Sequence, residues 1–329
     1  MKGIFLLRPA AFAQIYGAAE VAAIADMLDL YAPPQSAESI QADPSVLAQA
    51  DVILSGWGMP KMDAEFLALA PRLQAVFYGA GSVKGIVTDA FWARGIQIAS
   101  AAAANAVPVV EYTLSQILFC LKLGWRHALE IRRAQRYPGR HHVPGAYGST
   151  VGLISLGLIG RRVCEMLRLF EVRVIAYDPF ATPDEAAVLG VELVALDELF
   201  QRADVVSLHA PWLKETERLI TGAHFAAMKP NAAFINTARG AIVAEDEMIA
   251  ILQQRPDLQA VLDVTYPEPP VPDSPLYTLP NVVLTPHIAG SLDDECRRMG
   301  RMMVDELARF LAGQPLHGAV TQAKEAISA

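Results

Sequence analysis

Residues 150–179, TVGLISLGLIGRRVCEMLRLFEVRVIAYDP, decide how the rest of the chain is read. An apolar run at 151–156 enters a glycine-punctuated turn, an amphipathic helix follows over about 158–170, and a second apolar run at 172–177 stops at Asp178. This order of strand, turn, helix and strand is that of a dinucleotide-binding unit. Gly157 lets a pyrophosphate approach the backbone, Gly160 lets the helix pack close on the strand, and the helix start offers unpaired N–H groups at the positive end of its dipole. Asp178, about twenty residues further on, is placed to accept hydrogen bonds from a ribose diol. The G-x-G-x-x-G pattern reads here Ser155-Leu156-Gly157-Leu158-Ile159-Gly160, with serine at the tight-turn position. Taken alone, so imperfect a fingerprint also fits a plain structural turn.

The chain has 329 residues, 53% of them apolar, so two domains are expected. A formal net charge of -8 argues against nucleic acid or an anionic membrane as partner, since both require a basic face. Cys120, Cys164 and Cys296 lie far apart in expected helices, without zinc spacing. They read as buried fillers in a reducing compartment. The first residues imitate a signal peptide, but the apolar core at 4–7 stops at Arg8 and Pro9, so a cytoplasmic location is expected.

Residues 1–103 read as one α/β unit, with strands at 4–7, 52–54, 73–78 and 96–99 and alanine-rich helices at 18–28 and 63–69. Two strands run into loops that could approach a ligand: Ser55-Gly56-Trp57-Gly58 and Gly79-Ala80-Gly81-Ser82. Residues 98–125 are apolar enough to suggest a membrane span, yet Asn105, Pro108, Glu111, Gln116 and Lys122 interrupt them. A buried helix starting near Pro108 is expected instead. Residues 132–149 read as a connecting loop whose adjacent His141 and His142 form no metal site. Further strands are expected at 205–208, 233–236, 261–264 and 282–284, with helices at 196–202, 223–228 and 245–254, a last amphipathic helix at 293–311, and a loose tail beyond Gly318.

In such a doubly wound sheet, ligands belong at the carboxyl ends of the strands. His209 with Pro211, Thr237-Ala238-Arg239-Gly240, Asp263 and His287 all fall there. Hydride transfer to a 2-oxo acid needs a cation for the carboxylate, an acid for the carbonyl oxygen and a partner for that acid. Arg239, His287 and Glu268 match these needs. Arginine holds a carboxylate through two parallel N–H contacts, and a carboxylate beside a histidine favours imidazolium. Each also has a structural reading: Arg239 in an ion pair, His287 as a cap, Glu268 as a solvated loop carboxylate.

Over nearly its whole length the chain resembles the D-isomer-specific 2-hydroxy acid dehydrogenase family. Asn105-Ala106 leading to Glu111 is similar to the start of the family's long interdomain helix. MKPNAAFINTARG (228–240), VLDVTYPEPP (261–270) and LPNVVLTPHIAG (279–290) resemble its C-terminal signatures. The resemblance implies two Rossmann-like doubly wound parallel-sheet domains with the active site in the cleft between them. It implies a substrate-binding domain at 1–103 completed by 288–329, and an NAD-binding domain at 104–287.

It also implies NAD as cofactor, dimerisation through the cofactor domain, and a small 2-oxo or D-2-hydroxy acid as substrate. Arg239 then takes the substrate-binding role, Glu268 supports the acid, and His287 is the general acid/base. Cofactor contact is expected at Ser155, Gly157, Leu158, Ile159, Gly160, Asp178, His209, Ala210, Pro211, Thr216, Thr237, Ala238, Arg239, Asp263, His287 and Gly290. Substrate contact is expected at Gly79, Ala80, Gly81, Ser82 and Arg239, with Trp57 either an apolar wall or a packing residue. Tyr266 departs from the pattern, standing where an acidic residue often precedes the Pro-Glu pair. Two other functions remain compatible with this sequence: an NAD(H)-sensing regulatory scaffold, and a relative oxidising another small anion such as phosphite.

Overall fold

A computed structural model describes residues 1–139 and 143–327. His141 and His142, expected as loop residues outside any metal site, lie outside the described residues. The chain divides into two compact units, one of residues 1–107 with 291–329 and the other of residues 108–290.

In the first unit, β1 (Lys2–Leu6), β2 (Asp29–Leu30), β3 (Val52–Ser55), β4 (Ala75–Tyr78) and β5 (Gln97–Ser100) form a parallel sheet of order β2-β1-β3-β4-β5. The central strands VILS and AVFY are buried along their whole length, as apolar runs covered on both faces must be. Ile4, Leu6, Ile53, Val76 and Phe91 fill one side of this sheet. Phe5, Leu7, Leu54 and Phe77 fill the other, beneath Met299, Met303 and Leu307 of the Cys296–Leu311 helix.

The second unit carries β6 (Thr150–Ile154), β7 (Arg173–Tyr177), β8 (Glu192–Leu193), β9 (Val205–Leu208), β10 (Ala233–Asn236), β11 (Gln259–Leu262) and β12 (Val282–Leu284). They form a parallel sheet of order β12-β11-β10-β9-β6-β7-β8. Strand order reverses between β6 and β9, and such a switch point opens a crevice at the carboxyl ends. Both sheets are Rossmann-like, as the sequence led us to expect.

Several local expectations need correction. β2 and β8 are two-residue edge strands, too short to leave an alternating pattern in the sequence. Residues 132–134, the start of the expected loop at 132–149, instead finish a helix over Gly124–Ala134, with Arg132 and Arg133 in the last turn, where cations complement exposed carbonyls. The apolar helix begins at Ala102 and holds Pro108 inside it. It is the one helix among the described residues long and apolar enough to cross a membrane, and half of the window concerned is buried. The tail is not loose: Ser100 N–H donates to the Gly318 carbonyl at 2.9 Å and Val320 N–H to the Ile98 carbonyl at 3.0 Å. Residues 322–327 then form a short helix. The cysteines are free and buried, and burial pushes the Cys120 and Cys164 thiols up to about 12.

Candidate active site

Ser155 adopts φ 76°, a left-handed conformation that glycine adopts without cost and serine does not. Its carbonyl would lie 2.1 Å from a Cβ on Gly160, so the third fingerprint position admits only glycine. Over Gly157 the space is open, with only Ser155 Oγ 3.9 Å from where a Cβ would be. The Leu158–Leu167 helix makes its first hydrogen bond from Arg161 N–H to the Gly157 carbonyl, at 3.1 Å. Among the described residues the N–H groups of Leu158, Ile159 and Gly160 are therefore unspent, and the turn fits a pyrophosphate.

Asp178 clasps this turn. Its Oδ2 accepts from Leu156 N–H at 2.6 Å and, more weakly, from Ser155 Oγ at 3.4 Å, while Oδ1 accepts from the Phe180 and Ala181 N–H groups. The carboxylate expected at the ribose is thus already tied to the turn that flanks it.

At the end of β9, His209 is buried, and desolvation lowers its imidazole to about 4, which keeps it neutral. Its Nε2 pairs with Ser207 Oγ at 3.0 Å, while Nδ1 is buried with no partner among the described residues. Buried Ala210 follows it. Thr216 is spent on its own loop, with Oγ1 donating to the Pro211 carbonyl and accepting from Leu213 N–H. Trp212 of that loop meets Tyr266 edge to face, the ring centroids 5.4 Å apart.

β10 ends in buried Asn236, whose side chain accepts from Ala238 N–H and donates to the Arg239 carbonyl, fixing the Thr237-Ala238-Arg239 turn. Thr237 Oγ1 meets Thr113 Oγ1 at 3.2 Å. Gly240 is forced: a Cβ there would sit 2.0 Å from the Thr265 carbonyl carbon. Among the described residues the Arg239 side chain makes a single hydrogen bond, from Nη1 to the Ala238 carbonyl at 2.6 Å, and no ion pair. Burial lowers its guanidinium from the ordinary arginine value, and the nearby Glu268 charge pulls the other way.

Buried Asp263 organises the turn after β12. Its Oδ1 accepts from Thr285 Oγ1 at 2.6 Å and Ile288 N–H at 2.9 Å, and its Oδ2 from Ala289 N–H at 2.9 Å. Within that turn His287 takes φ 55°, and its Nδ1 lies 2.6 Å from Glu268 Oε1. Gly290 closes the turn and the unit. Asn236, Thr285 and Tyr112, whose hydroxyl meets Thr285 Oγ1 at 2.9 Å, were not singled out from sequence. An asparagine two residues before a backbone N–H it caps was the one local signal available.

In the first unit, Gly79 N–H donates to the Ser55 carbonyl and Ala80 N–H to the Tyr78 carbonyl. Among the described residues the N–H groups of Gly81 and Ser82 have no acceptor, so the anion-binding capacity expected of residues 79–82 narrows to these two. Trp57 packs against both cores of the unit, which favours its packing role over that of a free wall.

The model of the D-isomer specific 2-hydroxyacid dehydrogenase NAD binding domain matches residues 117–289, more than half of the chain. The chain belongs to this family. The chain is 32% identical to D-3-phosphoglycerate dehydrogenase of Archaeoglobus fulgidus over 260 residues, which are 79% of this chain and 49% of that protein. It thus spans about half the length of the phosphoglycerate dehydrogenases it matches. It is 37% identical to (S)-sulfolactate dehydrogenase of Chromohalobacter salexigens over 254 residues, 76% of this chain and 82% of that one. The NAD-complexed D-isomer specific 2-hydroxyacid dehydrogenase of Lactobacillus delbrueckii ssp. bulgaricus shares its fold, with a TM-score of 0.80 and 20% identity over 98% of this chain and 100% of that one. The glycine turn of the second unit accordingly lies in an NAD-binding domain.

Proposed function

We propose that the chain interconverts a small 2-oxo acid and its D-2-hydroxy acid with NAD(H), using His287 as acid/base, Glu268 as its partner and Arg239 as carboxylate ligand. The observation that carries this reading is the 2.6 Å contact of His287 Nδ1 with Glu268 beside an arginine whose fork is largely uncommitted. With Nδ1 engaged, Nε2 is the ring nitrogen left to face a substrate. In reduction it gives its proton to the carbonyl oxygen; in oxidation it takes the hydroxyl proton. Bound NADH supplies the hydride. Arg239 directs its remaining N–H groups at the carboxylate, and its partial burial strengthens that attraction.

For NAD itself, Gly157 and the first-turn N–H groups hold the pyrophosphate and Asp178 faces the adenosine ribose. Asp263 has used three of about four acceptor positions on its carboxylate, leaving one for a donor of the nicotinamide end. In this reading the first unit is the substrate-binding domain and the second the NAD-binding domain. We also propose a homodimer, because the Gly124–Ala134 helix buries none of its residues and Phe119, Tyr137 and Tyr147 are exposed nearby.

The test is a panel of 2-oxo acids with NADH absorbance as readout, run on the wild type and on His287→Ala. Turnover in the wild type with its loss, and retained NADH binding, in the variant is the expected result. Near-normal turnover without the imidazole would remove His287 from the chemistry.

A further inference from the structure

In the second unit three acids open the Glu245–Gln254 helix, where negative charge complements the dipole. Two of them hold neighbouring structure. Asp246 pairs with Arg218 at 2.9 Å, and Glu247 lies 3.6 Å from the same arginine while its Oε2 accepts from Gly222 N–H at 2.8 Å. Glu245 is different, being half-buried with no cation partner among the described residues. Burial raises its carboxyl from the ordinary value, against the pull of a single hydrogen bond. In that bond Tyr266 N–H donates to Glu245 Oε2 at 3.1 Å.

Tyr266 stands two residues before Glu268, on the loop that leaves β11. Other contacts grip the same loop. Gly240 lies against Thr265 too closely to admit a Cβ, the Thr265 hydroxyl donates to the Pro267 carbonyl at 2.9 Å, and the Tyr266 ring meets Trp212 of the loop after β9. Glu245 is the one charged hold among these, and it reaches the loop from a separate helix. At the end of this series of contacts Glu268 Oε1 lies 2.6 Å from His287 Nδ1. The Glu268 and His287 side chains are 42% and 47% exposed, and Glu268 makes no other hydrogen bond among the described residues. Burial therefore does not fix Glu268, and a pair so exposed gains little hold from its own attraction. Its placement has to come from the backbone that carries it.

We propose that Glu245 is a positioning residue: through the Tyr266 N–H it holds the loop of residues 263–268 so that Glu268 stays against His287 Nδ1. The inference rests on the assignment of His287 and Glu268 as the acid/base pair above. The Tyr266 N–H is open to solvent, so water can take over the hydrogen bond when the carboxylate is removed. What is lost is then the register of the loop rather than the fold.

The experiment follows the imidazole nitrogens by 15N NMR and turnover with NADH and the best substrate of the 2-oxo acid panel, for the wild type, Glu245→Ala, Glu245→Gln and Glu268→Gln. His287 is assigned by its absence from His287→Ala. In Glu245→Ala the Nδ1 resonance should move at least about halfway to its position in Glu268→Gln, and kcat should fall about tenfold or more, since a misplacement of about 1 Å costs on the order of a hundredfold. KM for the 2-oxo acid should change less than about threefold, because Arg239 is untouched, and NADH affinity and melting temperature should stay near wild type. Glu245→Gln keeps an acceptor oxygen at the same reach and should restore both the resonance and kcat.

A wild-type Nδ1 resonance in Glu245→Ala overturns the proposal, as does a Glu245→Gln displaced as far as the alanine variant. Should Glu245→Ala fail to fold, Glu245→Asp, shorter by one methylene, decides the matter by the same resonance. Absence of turnover with every 2-oxo acid would instead count against the reductase reading, while the Nδ1 resonance still reports whether Glu245 holds Glu268 in place.

Discussion

Asp263→Asn tests the idea that one buried carboxylate holds His287, the proposed acid/base, in place. The substitution conserves volume, so its effect comes from hydrogen bonding. Asp263 accepts from Thr285 Oγ1, Ile288 N–H and Ala289 N–H, and is 2% exposed. If the amide oxygen of asparagine takes the place of Oδ1, it keeps the first two donors, and its NH2 then points at Ala289 N–H. One charge-assisted hydrogen bond, about 1.5–3 kcal/mol, is lost, and a buried donor left unsatisfied costs about 1–3 kcal/mol more. A loss of about 2.5–6 kcal/mol in unfolding free energy follows, unless the turn opens to relieve it. Opening would displace His287, whose φ of 55° persists only because the turn is pinned. A displacement of about 1 Å is enough to lower kcat/KM on the order of a hundredfold. Urea unfolding and kcat/KM with the preferred 2-oxo acid give the two readouts, and Thr285→Val, which removes one donor and keeps the charge, should lie between. A variant within about 1 kcal/mol of wild type in stability, with unchanged kcat/KM, would show that the turn holds its shape without the carboxylate.

Gly240→Ala forces a Cβ to 2.0 Å from the Thr265 carbonyl carbon, against an ordinary contact of 3.4 Å or more, so the backbone itself must move. A stability loss of about 2–4 kcal/mol with a fall in kcat/KM is expected, and a wild-type-like protein would show that the β10 and β11 loops are pliable. Ser155→Gly removes a left-handed serine and only a 3.4 Å hydrogen bond, and should raise stability by about 0.5–1 kcal/mol, checked by thermal melting. An unchanged or lower melting temperature means that the hydroxyl contributes more than its distance suggests. For His209, the folded value of about 4 lies below the ordinary 6.5, so the unfolded chain binds the proton first as pH falls. Its stabilising contribution is complete above about 6.5 and lost as pH drops towards about 4, and His209→Gln should flatten the stability–pH slope in that window. An identical slope in the variant would place the titration elsewhere.

What the sequence disclosed follows from length scale. Strands such as residues 233–236 and 282–284 are short, mostly apolar runs, and their ends place Arg239 and His287 without any tertiary information. The edge strands β2 and β8 have only two residues each and exist through pairing with a neighbour, which no local pattern records. The tail looked loose because the residues after Gly318 are few and show no strand or long helix pattern, while its order comes from two backbone hydrogen bonds to β5. Side-chain commitments were the least visible. Asp178 and Asp263 were read as carboxylates facing a ligand, and each proves to be engaged first with protein N–H groups.

The first unit is assembled from two separated parts of the chain, and this has a consequence for how the protein is made. When residues 1–107 have emerged from the ribosome, Phe5, Leu7, Leu54 and Phe77 lack the cover that Met299, Met303 and Leu307 later provide. Roughly 180 further residues must be synthesised before that helix begins, a delay on the order of 10–40 s at about 5–20 residues per second. The continuous second unit can close during this interval, while the nascent five-stranded sheet keeps one greasy face open to chaperones or to its neighbours on the polysome. Crowded, fast expression should therefore trap this protein through its N-terminal third, and slower synthesis or added chaperone should recover it.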